Sequence, residues 1–394
     1  MKTYDAVVVG GGPSGLQTAR VLAERGLRVG LFEEKSEIGA DVICTGIVGR
    51  ETFHEFEISD ESRIRDLRAM TIVGPSGRSL VYEHPSAFAE IVDRRRFDKT
   101  IAAAARAAGA DIVTNARVVS AAVTAKGVRV RFGADRDRDA CTASVLVLAT
   151  GVRHRLQGEL GLGAPTSFLS GVQCEVDVGG DVPPSVYVGT EIAPGAFGWA
   201  VPATAGRTKI GLITEREPRR YFRNFLNVLK FNAAASHAEV KVKPIAQGLV
   251  SRTSAARVLV VGEAAGQVKT TTGGGIYYGL LGARVASDIV LKAFRTGTFD
   301  AAFFSEYDRL WRAVLKREIL VGHYVRKLFG ALNDGQIERL MDVARQDGVI
   351  PLIRAKGHFD WQSGLIVDLL RKAPVFRLIR ELGRPPAFLK KFWA

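Results

Sequence analysis

Asp5-Ala6-Val7-Val8-Val9-Gly10-Gly11-Gly12-Pro13-Ser14-Gly15, with Ala19, Leu22, Gly26, Val29 and Glu33 beyond it, is the stretch on which the rest of the chain is read. Residues 5–10 read as a parallel strand buried on both faces, with a continuous, largely β-branched apolar run from Ala6 to Val9 ending in glycine. Helical spacing follows over residues 14–25. Between them stands Gly10-x-Gly12-x-x-Gly15, in which the first glycine permits a tight turn and the second lets backbone approach a pyrophosphate. The third lets helix pack on strand, and the helix N-terminus, entered through Pro13 and Ser14, then faces the phosphates. Ala19, Leu22, Gly26 and Val29 fall at the intervals that pack this helix on a sheet. Glu33, followed by Glu34, ends a second strand where a ribose hydroxyl would be held. A carboxylate there repels a 2′-phosphate. The stretch therefore predicts a Rossmann-like dinucleotide site.

The composition allows this fold and excludes others. A chain of 394 residues suits two or three packed domains, and 47% apolar with 24% charged residues is ordinary globular usage. No run of uncharged apolar residues is long enough to span a bilayer, and the apolar run after Lys2 is too short for a signal peptide. Cys44, Cys141 and Cys174 lie far apart, and the six histidines are scattered, so no metal site is expected. Free thiols fit a reducing cytoplasm. The net charge of +14 favours an anionic surface as partner. Nucleic acid is not expected, because the basic residues are not interleaved with aromatics in a recognition module.

The same grammar returns near residue 258. Val258-Leu259-Val260-Val261 reads as a strand, Gly262-Glu263-Ala264-Ala265-Gly266 as a turn, and residues 270–275 as a glycine-rich entry to a helix reaching about residue 293. A helix N-terminus with free N–H groups suits a flavin ring, because reduced flavin carries negative charge near N1 and the C2 carbonyl.

Gly262-Glu263-Ala264-Ala265-Gly266 with Thr272-Gly273-Gly274-Gly275-Ile276-Tyr277-Tyr278 resembles the second flavin motif of the geranylgeranyl reductase family, which belongs to the p-hydroxybenzoate-hydroxylase-like flavoproteins. Val92-Asp93-Arg94 with Phe97-Asp98 is similar to the segment whose first arginine contacts the cofactor. Leu148-Ala149-Thr150-Gly151 resembles the turn beside the FAD. Phe197-Gly198-Trp199-Ala200-Val201-Pro202 resembles the substrate-cavity motif, and Cys44-Thr45-Gly46 a motif facing the flavin. The resemblance implies FAD as cofactor, held by Gly10, Gly12, Pro13, Ser14, Gly15, Glu33, Glu34, Cys44, Thr45, Gly46, Arg94, Thr150, Gly151, Gly262, Glu263, Gly273, Gly274, Gly275 and Ile276. It implies a substrate cavity at Phe197, Trp199 and Pro202. Three positions depart from the pattern: Glu263 replaces an aspartate, Phe197 a common tyrosine, and Ile47 a glycine.

The fold alone does not choose the reaction, since this flavoprotein group includes hydroxylases, halogenases and double-bond reductases. Halogenases use a lysine, and none occurs between Lys35 and Lys99. The expected activity is reduction of prenyl C=C bonds on a lipid, quinone or related isoprenoid. An FAD-dependent monooxygenase is the alternative, and a non-catalytic electron-transfer flavoprotein a reading from another class. An isolated alkene cannot be polarised through a carbonyl, so hydride transfer must be matched by a proton. Cys44 is the candidate donor; a buried apolar role is its alternative. The electron donor, NAD(P)H, ferredoxin or another, leaves no second fingerprint.

The expected architecture is α/β (α+β overall). A Rossmann-like FAD-binding domain at residues 1–68, 83–165 and 251–297 is interleaved with an antiparallel β-sheet substrate domain at 69–82 and 166–250. Alternation such as residues 185–189 and 209–214 predicts a sheet covered on one face. A helical region occupies 298–394, where Phe303, Phe304, Tyr307, Leu310, Trp311, Leu315 and Ile319 form a core stripe. The tail, from Val375 through Arg377, Ile379, Arg380 and Phe388 to Lys390-Lys391-Phe392-Trp393, mixes bulky apolar with basic residues. That pattern predicts peripheral contact with an anionic membrane.

Overall fold

A computed structural model describes residues 2–133, 140–345 and 348–380, with side chains through residue 377. The apolar run at the N-terminus forms the strand Lys2–Val9, central in its sheet. It pairs in parallel with Val29–Phe32 on one side and Ala140–Leu148 on the other. Asp111–Val113 extends the sheet beyond the former, and Val258–Val260 beyond the latter. Helices Pro13–Glu24, Arg94–Ala107, Ile276–Thr296 and Ala301–Gly330 cover one face, burying Ala6, Val8, Leu31, Val147 and Leu259 with Leu16, Ile101 and Leu280. The opposite face, through Val7, Leu146 and Val260, packs on the hairpin strands Val118–Thr124 and Gly127–Phe132.

A second sheet has the order Lys241–Ala246, Phe168–Val176, Thr208–Thr214, Gly198–Pro202, Ser185–Tyr187, Ala69–Val73, Ser79–Glu83. It is antiparallel except where Ser185–Tyr187 meets Ala69–Val73. The expectation of one covered face is corrected here. Every residue of Gly198–Pro202 and Thr208–Thr214 is buried, because both faces are used. One face packs on helix Pro218–Leu229 through Val172, Ile210 and Phe225. The other carries Leu169, Trp199, Val201 and Ile213 against Ile47, which belongs to a three-stranded sheet of Ile47–Gly49, Ala89–Val92 and Arg63–Leu67.

The helical stripe after residue 300 is core, with Phe304, Tyr307, Trp311, Leu315 and Ile319 all buried. Helices Asp334–Arg345, Val349–Lys356, Ser363–Leu370 and Ala373–Arg380 follow. Val375 turns inward onto Leu328 and Leu370. The basic and aromatic end of the tail, residues 381–394, lies outside the described residues. Among the described residues no helix is long and apolar enough to cross a membrane.

Candidate flavin site

The first glycine turn is closed by sterics on all but one side. Gly10 has φ +112, and a Cβ there would sit 2.3 Å from the Ala149 carbonyl oxygen. A Cβ on Gly15 would lie 2.0 Å from the Gly10 oxygen, so the helix packs directly on the turn. Gly12, by contrast, faces open space. It is the N-cap of the twelve-residue helix Pro13–Glu24, carries no side-chain cap and has Pro13 at the first turn. The N–H groups of that turn are thus left to an anionic ligand. Glu33 closes the rim: its carboxylate accepts from the Gly11 N–H at 2.6 Å and the Lys35 N–H at 3.0 Å. Neighbouring Glu34 pairs with Arg153 at 2.7 Å.

Ser14 joins this turn to the second one. Its Oγ would lie 2.7 Å from a Cβ on Gly262 and 2.3 Å from one on Gly279, so both partners must be glycine. Gly262 has φ +70 and donates its N–H to the buried Gln267, which in turn donates to Tyr307. Gly275 caps helix Ile276–Thr296, again without a side-chain cap. Ahead of it Gly273, at φ +73, turns toward the second sheet, where a Cβ would meet Ile213 at 3.0 Å. Thr150, beside Gly151, has a buried hydroxyl with no partner. Two uncapped helix entries, glycine turns open toward ligand and an unpartnered hydroxyl are the donor set that a flavin dinucleotide uses.

Glu263 accepts from Lys243 of the second sheet at 2.6 Å. Arg94 is buried, donating to Asp98 at 2.8 Å, with its Nε unpartnered. Asp93 caps the same helix, accepting from the Arg95 and Arg96 N–H groups.

The Cys44-Thr45-Gly46 loop lies against Arg94 and the second sheet. Gly46, at φ +82, donates its N–H to Cys44 Sγ at 3.4 Å. Burial works against ionisation of Cys44, but the Arg94 guanidinium, the Gly46 N–H and Lys209 outweigh it and hold this thiol below its ordinary value. Cys141 and Cys174 are pushed up to about 11 by burial, which at Cys174 outweighs the nearby Arg207. Phe197 and Trp199 stand with ring centroids 6.1 Å apart on the inner sheet face, and Pro202 is buried at the end of that strand.

Sequence reasoning missed three groups. Lys209 reads as the solvent-facing member of an alternating strand, yet it is 6% exposed. Gln173 is buried beside it with an unpartnered Oε1. Lys269 and Asp360 form a buried pair at 2.7 Å. Single polar residues in strands and loops give no periodic signal, and only the doubly covered sheet reveals the first two.

Residues 4–173 match the pyridine nucleotide-disulphide oxidoreductase family. Digeranylgeranylglycerophospholipid reductase 2 of Methanothermobacter thermautotrophicus is 32% identical over 360 residues, covering 86% of this chain and 91% of that protein. The digeranylgeranylglycerophospholipid reductase of Methanosphaerula palustris is 29% identical, covering 86% and 90%. A geranylgeranyl bacteriochlorophyll reductase-like crystal structure from Thermoplasma acidophilum superimposes with a TM-score of 0.82 at 21% identity, covering 97% and 100%. A p-nitrophenol 4-monooxygenase from Pseudomonas putida does so at 0.72 and 18%, covering 90% and 98%, a likeness of fold alone. With 32% identity to a reductase along nearly its whole length, the chain belongs to the geranylgeranyl reductase family of FAD-dependent oxidoreductases.

Proposed function

We propose that this chain saturates C=C double bonds of geranylgeranyl-type chains carried on a lipid, with FAD held between the two glycine turns. The observation that carries the reading is the apolar inner sheet face. Leu169, Trp199, Val201 and Ile213, with Phe197, Ile245 and Ile47, offer a prenyl chain an almost wholly hydrocarbon wall next to Gly273. A dry wall suits an alkene and keeps water from the reacting carbons.

In this reading Gly10, Gly12, Pro13, Ser14 and Gly15 bind the pyrophosphate, and Glu33 with Glu34 the adenosine ribose. Glu33 spends one lone pair per oxygen on backbone N–H groups and retains capacity for a hydroxyl. Arg94, Thr150, Gly151, Gly262 and Glu263 hold the middle of the cofactor. Gly273, whose own N–H is held by the Lys269 oxygen, turns the chain so that Gly274, Gly275 and Ile276 present N–H groups to the flavin pyrimidine edge, and Cys44, Thr45 and Gly46 line its other side. Bound FAD, once reduced, supplies hydride. The protein positions the alkene, excludes water and supplies the matching proton, for which Cys44 is the donor. The division into an FAD-binding part and a substrate part follows the two sheets.

The test is anaerobic incubation of the chemically reduced protein with a digeranylgeranyl glycerophospholipid and with geranylgeranyl diphosphate, followed by mass spectrometry. Mass gains in steps of two hydrogens are expected. Reducible bound FAD that saturates neither compound, but consumes oxygen with a hydrophobic substrate, would shift the reading to a monooxygenase. The lipid-borne prenyl chain also gives the basic tail a purpose, contact with anionic membrane. Co-sedimentation with anionic vesicles should then fall when residues 381–394 are removed.

A further inference from the structure

We propose that Lys209 holds the proton that Cys44 delivers to the substrate, so that the two side chains form a relay meeting over Gly46; this rests on the prenyl-reductase reading. Lys209 extends from the inner face of strand Thr208–Thr214, the face that carries Trp199, Val201 and Ile213. A Cβ on Gly46 would lie 3.2 Å from its Nζ, while the Gly46 N–H touches Cys44 Sγ. Thiol and ammonium therefore both approach one residue. A Cβ at position 46 would also collide with the Val92 oxygen at 2.6 Å.

The surroundings of Lys209 leave its ammonium underused. Its side chain is 8% exposed, yet its recorded carboxylate partner, Glu175, is 3.9 Å away and partly exposed. A buried ammonium without a close counter-ion is costly, and such cost marks a functional demand. Two other buried atoms on this face also lack partners, the acceptor Gln173 Oε1 and the donor Trp199 Nε1. Both residues pair across from Gly211, two positions from Lys209. An acceptor, a donor and a cation on one otherwise hydrocarbon wall are what a proton path through a bound polar group requires.

The charged groups facing Cys44 are few. Arg94 comes from helix Arg94–Ala107 with Asp98 behind it, and Lys209 comes from the sheet with Glu175 beside it. Arg94 does not release a proton in this pH range, so of the two cations only Lys209 recharges the thiol. In the balanced step the alkene π bond breaks. FAD, when bound and reduced, would supply the hydride to one carbon and be oxidised in doing so, while the neighbouring carbon takes the Cys44 proton. The resulting thiolate takes a proton from the Lys209 ammonium, and solvent reprotonates the amine left behind.

The experiment follows alkylation of Cys44 by iodoacetamide against pH in holoenzyme, read by peptide mass spectrometry, for wild type, Lys209→Met and Lys209→Arg. FAD content by absorbance confirms that each variant is folded. Lys209→Met should raise the alkylation midpoint, and Lys209→Arg, which keeps the charge, should leave it near wild type. Both should slow reoxidation of reduced flavin by prenyl substrate about 100-fold. An unmoved midpoint in Lys209→Met, or wild-type turnover in Lys209→Arg, overturns the relay. If wild-type flavin is not reoxidised by any prenyl compound, the reductase reading fails by itself. The alkylation midpoints still decide whether Lys209 governs the thiol.

Discussion

Trp199 can lie across strand Thr208–Thr214 because position 211 has no side chain. A Cβ there would come within 2.3 Å of Trp199 Cζ2 and 2.6 Å of the Val172 oxygen. Gly211→Ala should therefore destabilise the protein by about 1–3 kcal/mol through overpacking. Urea unfolding measures the loss, and a shifted tryptophan emission would report the displaced ring. A second residue-scale prediction concerns Tyr4, whose hydroxyl donates to Asp111 at 2.5 Å while its ring fills the space above Gly30. Burial first, and then Asp111, push its pKa up to about 12. A raised phenol contributes stability that is fully present below the unfolded value, near 10, and is lost as pH rises through about 12. Tyr4→Phe should remove that alkaline dependence between roughly pH 10 and 12 and cost about 1–2 kcal/mol at neutral pH. Thermal melts across that window check both. At this scale the glycines were legible in the sequence because their absence of a side chain has a spacing. Lys209 and Gln173 were not, because a polar residue in an alternating strand reads as solvent-facing until the second covering layer is known.

Among elements, the loop of residues 269–275 shows how the second glycine turn is held. Its own backbone closes it, with Lys269 N–H donating to Gly274 oxygen at 2.8 Å and Gly273 N–H to Lys269 oxygen at 2.8 Å. Its outer side is fixed by the segment between helices Val349–Lys356 and Ser363–Leu370. The Asp360 carboxylate takes the Lys269 ammonium at 2.7 Å, Thr271 donates to Gln362 at 2.6 Å, and Tyr278 donates to the Asp360 backbone carbonyl at 3.0 Å. Asp360→Ala leaves a buried ammonium unpaired and should cost about 3–5 kcal/mol, whereas Lys269→Met with Asp360→Leu should recover most of it. Urea titration of the three proteins tests this, and weakened FAD retention in Asp360→Ala is expected alongside. A smaller effect belongs to Asp300, which caps helix Ala301–Gly330 by accepting from the Phe303 N–H at 2.9 Å. Asp300→Ala should cost about 1 kcal/mol. The helix and its stripe were legible from periodicity. The clasp was not, since its partners lie far apart in sequence and neither repeats.

For the molecule as a whole, one core joins the N-terminal helix, helix Arg94–Ala107, helix Ile276–Thr296 and the long helix Ala301–Gly330. Trp311 is part of it and donates from its indole to Thr253, so the helical region is not an appendage of the flavin site. Removing residues 298–380 should abolish soluble, FAD-loaded protein rather than trim it. Expression followed by absorbance of the purified chain near the flavin bands decides. The interleaving of the two sheets was legible from two glycine turns that bracket an alternating middle. How both sheet faces come to be buried required the three-dimensional arrangement.

The clasp between Lys269 and Asp360 spans 91 residues of chain. During synthesis the glycine turn that Lys269 begins is therefore made long before the carboxylate that fixes it. The ribosome must add two long helices, Ile276–Thr296 and Ala301–Gly330, and two shorter ones, Asp334–Arg345 and Val349–Lys356, before that partner exists, and until then the loop has no buried counter-ion to settle on. With the flavin held as proposed, its stable capture becomes a late event in the life of a nascent chain, set by vectorial translation rather than by when the first glycine turn emerges.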